Sequence, residues 1–436
     1  MLKTTGHHDQ KKGYAAMSPV LLMKSEPRKD FELSIDEIAK EGARRLLIQA
    51  LNLEVDDYIE RFKTEVDENG RRLVVRNGVG RERKVSMSSG TVAVQVPRVD
   101  DRREGEKFFS SILPPYLRKT RKVESLIPVL YLKGLSTNDF QSALGDFLGE
   151  GTSGLSPASI VKLKKVWEDE HDLWSKRTIT KQYAYLWVDG VNVQIRLGED
   201  KKVCLLVVIG VTAEGKKELL AVHPGYRESA DSWLVVLRSL IDRGMNAPRL
   251  AIGDGALGFW KALRTCNGFE KVDEQRCWVH KIANVLDKLP KRIQPDAKEL
   301  LHEMMKAPNY DDALKARKNF ESVFEAKYPK AVECLTKSWT ELTTFFRYPA
   351  AHWMSLRTTN PIESAFSTVK LRTTVTKGAG SRTTATAMAF KLLIECQKRW
   401  KSIRGNKQDI QNVLSRVEYK DGVMIAQPSS QEVVAS

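Results

Sequence analysis

Three acidic residues far apart in the chain share settings that suit chemistry on phosphate esters. The run Tyr183-Ala184-Tyr185-Leu186-Trp187-Val188 leads into Asp189-Gly190, and Leu250-Ala251-Ile252-Gly253 leads into Asp254-Gly255. Glu363 stands in Thr358-Thr359-Asn360-Pro361-Ile362-Glu363-Ser364. Each aspartate ends a short apolar run of the kind that forms a buried strand, and the glutamate falls at a helix start. A hard divalent cation such as Mg²⁺ takes oxygen ligands, so two aspartates and a glutamate converging from separate elements suit a pair of ions for phosphoryl transfer. Each acid alone also has an ordinary explanation. Asp-Gly is a common turn dipeptide at strand ends, and Asn360 as N-cap, Pro361 at the first helical position and Glu363 three residues on spell a capping box.

The elements that must carry these acids lie between Gln182 and Arg404. A strand over 183–188 is followed by Val203 to Val211, which is almost continuously apolar and therefore reads as buried on both faces. Glu218 to His223 is the returning strand, and Ser229 caps a helix carrying Trp233, Leu234, Val236, Leu237, Leu240 and Ile241 up to Gly244. Strand 250–253, a helix over 256–263 and a fifth strand over 275–279 complete the series. Three strands, helix, strand, helix, strand, with Glu363 on a later helix, is the order of an RNase H-like (retroviral integrase-like) α/β core with a mixed sheet. It places the two aspartates on neighbouring central strands. Residues 289–350 are helical in pattern and read as an all-helical insertion, whose aromatics suit a core.

Composition sets the wider frame. Lysine and arginine number 71 against 55 aspartates and glutamates in 436 residues, a formal charge of +16, which favours a polyanionic partner through counterion release. Five scattered cysteines argue against a disulfide framework and for a reducing compartment. No stretch approaches the length of a membrane span, and the polar N-terminus lacks a signal-peptide core, so a cytoplasmic location is expected. The chain divides into a disordered arm (1–30), an N-terminal α+β region (31–115), a helical helix-turn-helix-like DNA-binding region (116–180), the first part of the core (181–288), the helical insertion (289–350), the last core helices with Glu363 (351–405) and a flexible tail (406–436).

In the N-terminal α+β region Ser34 caps a helix, and short strands near Leu73, Val85 and Thr91 to Val96 are expected, joined by Asn-Gly and Ser-Gly turns. In 116–180, a basic run precedes helices over 123–133, 139–148 and from Ser156-Pro157 toward Trp174. Packing alone would also explain them, but their basic approach and hydroxyl-bearing turns resemble a DNA reader. Phosphate contact is expected from Arg118, Lys119, Arg121, Lys122, Lys162, Lys164 and Lys165, and from the flexible basic stretch after Glu363 through Lys370, Arg372, Lys377 and Arg382.

The chain resembles the bacterial Mutator-type insertion-sequence transposases over most of its length, from about Ile35 to Arg404. The motifs that carry the resemblance are Trp187-Val188-Asp189-Gly190, Ile252-Gly253-Asp254-Gly255, Thr359-Asn360-Pro361-Ile362-Glu363-Ser364 and a long one from Gln275-Arg276-Cys277-Trp278-Val279-His280-Lys281 into Asn284-Val285-Leu286-Asp287-Lys288-Leu289-Pro290. The resemblance implies that Asp189, Asp254 and Glu363 form a DDE triad holding two Mg²⁺ or Mn²⁺ ions. It further implies metal-dependent cleavage and strand transfer of double-stranded DNA, with the element's terminal inverted repeats and target DNA as partners and a homodimer or higher assembly on them, in the bacterial nucleoid. A catalytically inactive, transposase-derived DNA-binding protein is the alternative, and a basic structural protein a more distant one. The resemblance places Cys277 and His280 by the active site at the end of the fifth strand. Their Cys-x-x-His spacing is zinc-like, but no second ligand pair follows nearby, so zinc is not expected.

Overall fold

The computed structural model describes residues 34–105, 107–133, 135, 157–197, 201–255, 257–375 and 378–425. The described residues form two compact units, one made of those in 34–84 with those in 89–117, the other of 85–88 with those from 118 to 425. The expected arm, the helix over 139–148 and the cap Ser156 lie outside the described residues.

The first unit packs helix α1 (Ile35–Arg61) on a hairpin of β1 (Val74–Met87) and β2 (Gly90–Asp101). Ser34 caps α1 in a capping box with Glu37, and Leu51 and Val55 are its buried residues. The expected short strands are instead two long ones. Asn77-Gly78 makes no chain reversal: Gly78 takes a φ of +61° within β1, a conformation glycine adopts without a Cβ clash, and the strand continues.

The second unit is built on a five-stranded sheet in the order β5-β4-β3-β6-β7, from β3 (Tyr183–Gln194), β4 (Lys202–Thr212), β5 (Lys217–Gly225), β6 (Leu250–Gly253) and β7 (Asp273–Arg276). Strands β3, β4 and β5 are antiparallel, while β6 and β7 run parallel to β3. Strand β4 is buried from Val203 to Thr212, because helices cover both faces. On one face Leu186, Val188, Leu206 and Val208 meet Trp233 and Leu237 of α4 (Ala230–Asp242) and Phe259 and Leu263 of α5 (Leu257–Thr265). On the other, Trp187, Leu205, Val207 and Ile209 join a larger core that runs into the insertion.

Three expectations are corrected here. Strand β3 does not stop at Val188 but runs through Asp189-Gly190 to Gln194, because Val191 and Val193 are buried and keep pairing with β4. The fifth strand ends at Arg276: Cys277 is the N-cap of α6 (Trp278–Leu286), in which Trp278, Ile282 and Val285 bury at helical spacing. The tail is ordered to residue 425, since a helix over Lys407–Leu414 and a small hairpin bury Ile410, Val413 and Tyr419.

The insertion is helical, as expected, with α7 (Gln294–Lys306), α8 (Tyr310–Phe324), α9 (Pro329–Thr336) and α10 (Trp339–Thr343), and the short α11 (Trp353–Leu356) follows it. It is stitched to the sheet edge by buried polar groups. Gln275 Nε2 donates to the Leu342 carbonyl (3.1 Å) and its Oε1 accepts from the Phe345 amide (2.8 Å). Trp278 Nε1 donates to Leu342 O (2.7 Å), and Lys281 Nζ to Cys334 O (2.8 Å) and Ser338 Oγ (3.0 Å). The chain returns in α12 (Asn360–Val375) and α13 (Arg382–Gln397). Between them, residues 378–380 are tied to the end of β3 by Ala379 N to Gln194 O (2.9 Å), Arg196 N to Ala379 O (2.8 Å) and Leu197 N to Gly380 O (3.0 Å), so the part of the basic stretch described there is held, not flexible. The helices α2 (Arg121–Lys133) and α3 (Pro157–Ser175) pack on α13, with Trp167 in the core and Lys391 Nζ donating to Glu170 at 2.6 Å.

Candidate active site

Strands β3 and β6 bring the two aspartates together. Their parallel register ends on Val188 opposite Gly253, so the next residues along the two strands are Asp189 and Asp254. Each carboxylate accepts the amide of the glycine after it, Gly190 at 2.8 Å for Asp189 and Gly255 for Asp254. Trp260 Nε1 donates to the Asp254 carbonyl (3.0 Å) and steadies the turn below it.

Glu363 arrives on the first turn of α12. The approach is anchored on both sides: Trp187 Nε1 donates to Thr358 O (3.2 Å) and the Trp278 amide to Arg357 O (2.9 Å). The helix starts with the Ile362 and Glu363 amides donating to the Thr359 carbonyl, each at 3.0 Å, and the Glu363 carboxylate accepts the Thr359 hydroxyl. Thr359, rather than Asn360, therefore faces the glutamate, and the expected capping box is replaced by a contact that orients Glu363 Oε1.

Cys277 and His280 fill the space between the acids. His280 Nδ1 lies 3.9 Å from Asp254 Oδ1 and 3.8 Å from Glu363 Oε1, which joins β6 to α12 across one imidazole. The buried Cys277 Sγ accepts the Thr359 amide at 3.3 Å, and the Thr359 hydroxyl is 3.2 Å from Sγ and 3.4 Å from His280 Nδ1. A hydroxyl has one proton to give, and its closest acceptor is Glu363. The contact with Cys277, with the negative charges of Asp254, Cys277 and Glu363 adding to it, raises the His280 pKa to about 9 against the opposing effect of burial, so the ring is cationic at neutral pH. Burial raises the Cys277 thiol, but hydrogen bonds with His280 and Thr359 outweigh it and hold it below its ordinary value.

Asp189 is the most perturbed acid. Burial, with the charges of Glu228 and Glu363 adding to it, raises its pKa to about 7 against the Gly190 amide and His280. Glu228 was not singled out from the sequence. It precedes Ser229, the N-cap of α4, and is raised by burial and by Asp254. Four carboxylates and one imidazolium thus meet at one end of the parallel strands. This excess of negative charge, built of oxygen donors, fits hard divalent cations. Sγ of Cys277, a nitrogen of His280 and a carboxylate oxygen of Glu363 also lie within 4.8 Å of one another, a second donor set that the sequence spacing alone did not disclose.

The basic residues separate into groups. Arg118, Arg121, Lys122, Lys162, Lys165, Lys370 and Arg382 are exposed, although Lys165 pairs with Asp169 (3.1 Å) and Arg382 Nη2 donates to Pro224 O (3.0 Å). Lys119 and Lys164 are half-buried. Arg372 departs from expectation: it is 2% exposed and donates to the Leu135 carbonyl at 3.2 Å, a packing role that keeps it from a phosphate. Lys377 lies outside the described residues. Among the described residues no helix is long and apolar enough to cross a membrane.

The chain also matches known proteins over much of its length. The family model described as "Transposase, Mutator family" matches residues 17–402. The chain is 52% identical over 282 residues to the transposase for insertion sequence element IS6120 of Mycolicibacterium smegmatis, covering 64% of this chain and 86% of that one. It is 45% identical over 298 residues to the transposase for insertion sequence element IST2 of Acidithiobacillus ferrooxidans, covering 68% of this chain and all of the other. With the match spanning both sheet aspartates and the helix that returns Glu363, the chain belongs to the Mutator family of transposases.

Proposed function

We propose that the protein cuts double-stranded DNA at the terminal inverted repeats of an insertion sequence and transfers the strands to target DNA, with Asp189, Asp254 and Glu363 as its catalytic and metal-holding residues. The observation that carries this reading is the placement of Asp189 and Asp254 side by side beyond the β3–β6 register, with His280 linking Asp254 to Glu363. The mixed five-stranded sheet, with β6 and β7 parallel to β3, supports an RNase H-like reading of the α/β core.

The chemistry that Mg²⁺ or Mn²⁺ ions supply in such a site is activation of an attacking oxygen and stabilisation of the leaving one in an in-line displacement. The protein's own residues prepare it. Thr359 holds the Glu363 carboxylate in one orientation, while the cationic His280 offsets part of the repulsion between Asp254 and Glu363. Burial and the neighbouring acids raise the Asp189 pKa to about 7, so part of it is protonated at neutral pH and cation binding there must displace that proton. Exposed Arg118, Arg121, Lys122, Lys162 and Lys370 supply cationic groups for DNA phosphates, and the protein works on DNA as a homodimer or larger assembly. The presence of all three acids favours an active enzyme over a DNA-binding derivative that has lost catalysis.

The test is incubation of purified full-length protein with a labelled element end and Mg²⁺, read as a nick at the end. Asp189→Asn, Asp254→Asn and Glu363→Gln are each expected to abolish nicking and keep end binding. Retained nicking in any one variant removes that residue from the triad.

A further inference from the structure

Glu228 is carried to the site by the loop between β5 and α4, and two distant glycines make its room. A Cβ built at Gly190 would stand 2.4 Å from Glu228 Oε1 and 2.6 Å from its Cδ. A Cβ at Gly258, near the start of α5, would stand 2.1 Å from the Glu228 carbonyl oxygen. Gly190 directly follows Asp189, and α5 directly follows the turn that bears Asp254. Each glycine thus lets the Glu228 segment press against the element of one sheet aspartate.

The Glu228 carboxylate is half-buried, and among the described residues no lysine or arginine pairs with it and no hydrogen-bond donor reaches it. Its charged neighbours are Asp254 and Asp189, of the same sign, and His280. Folding pushes this carboxylate toward two others, against which His280 is the one cationic side chain among its charged neighbours, and leaves its oxygens without a hydrogen-bond donor among the described residues, an arrangement that a bound cation relieves further. We propose that Glu228 is a fourth carboxylate ligand of the divalent-cation centre, brought in from outside the triad through the space left by Gly190 and Gly258. The proposal rests on the reading of Asp189, Asp254 and Glu363 as that centre.

Manganese binding to the full-length protein without DNA tests it, followed by the EPR signal of free Mn²⁺ and by the Mn²⁺-induced rise in melting temperature. Glu228→Gln is expected to weaken Mn²⁺ roughly 10- to 100-fold and to shrink the rise in melting temperature. Its melting temperature without metal should equal or exceed that of the unaltered protein, because a like charge has been removed. Glu228→Asp keeps the charge with a shorter reach and should fall between the two; Gly190→Ala, which leaves Glu228 intact but displaces it, should lose Mn²⁺ affinity as Glu228→Gln does, with a lower metal-free melting temperature from the clash. Unchanged Mn²⁺ affinity in Glu228→Gln, with Asp189→Asn impaired, overturns the role of Glu228 alone. Unchanged affinity in both overturns the metal centre itself. A lowered metal-free melting temperature with unchanged Mn²⁺ affinity assigns Glu228 to structure and also overturns the proposal.

Discussion

Thr359 offers the sharpest test of how the glutamate is held. Its side chain is fully buried, its hydroxyl donates to Glu363, and its amide serves Cys277. Thr359→Val preserves the β-branched shape and the amide but deletes the hydroxyl. A hydrogen bond to a charged group contributes about 1.5–3 kcal/mol, but Glu363 is 35% exposed and water can replace part of the loss, so a destabilisation of about 1–2 kcal/mol is expected. The effect on chemistry should be larger, because a freed carboxylate no longer presents Oε1 in one orientation: nicking should fall about 10- to 100-fold. Thr359→Ser reverses the order. It keeps the hydroxyl and removes a buried methyl, at a cost of about 1 kcal/mol in stability, and should nick within a few-fold of the unaltered protein. Urea unfolding and single-turnover nicking of a labelled end, measured on both variants, separate the two effects. Equal nicking by the two variants, or full nicking by Thr359→Val, would refute the claim that this hydroxyl positions Glu363.

Two other expectations come from histidines. His352 is fully buried with Nδ1 2.7 Å from Tyr185 Oη, and burial lowers its pKa to about 4. The unfolded chain takes up a proton below about pH 6.5 that the native state refuses, so stability is present above that pH and lost as pH falls toward 4; unfolding at pH 5 against pH 7 should show a loss of about 2 kcal/mol from this group, absent in His352→Gln. At Cys277 and His280, elemental analysis of purified protein should show no stoichiometric zinc, and His280→Ala should reduce nicking more than end binding; one zinc per chain, lost in His280→Ala and Cys277→Ser, would make these two residues and Glu363 a zinc site.

Much of the core was legible because it is written in local pattern. The run Val203 to Val211 reads as a strand buried on both faces, and the cap Ser229 with its apolar stripe as the helix that follows, and both form. The three acids were singled out through the family resemblance, since each alone reads equally well as a turn or cap. Other features turned on contacts between distant residues. Asp189-Gly190 looks like a turn, but Gly190 continues β3 and its missing Cβ is space for Glu228. Nothing near Glu228 in the chain marks it. Arg372 sits among exposed basic residues yet faces inward, a difference that tertiary packing alone decides. Gln275 to Val279 suggested a strand until Trp278, Ile282 and Val285 are seen to bury together on one side of a helix.

The stitched insertion also governs when Glu363 joins the two aspartates. Asp189 and Asp254 lie on adjoining strands, but Glu363 reaches them only after the chain has completed the seven helices α5 to α11 and returned past Arg357. Closing so long a loop is entropically slow, and the rewards for closing it are the contacts of Gln275, Trp278 and Lys281 with Leu342, Phe345, Cys334 and Ser338. The insertion therefore ties completion of the site to its own folding: the sheet can form before Glu363 is delivered, and partial unfolding of these helices would withdraw Glu363 while the sheet remains intact.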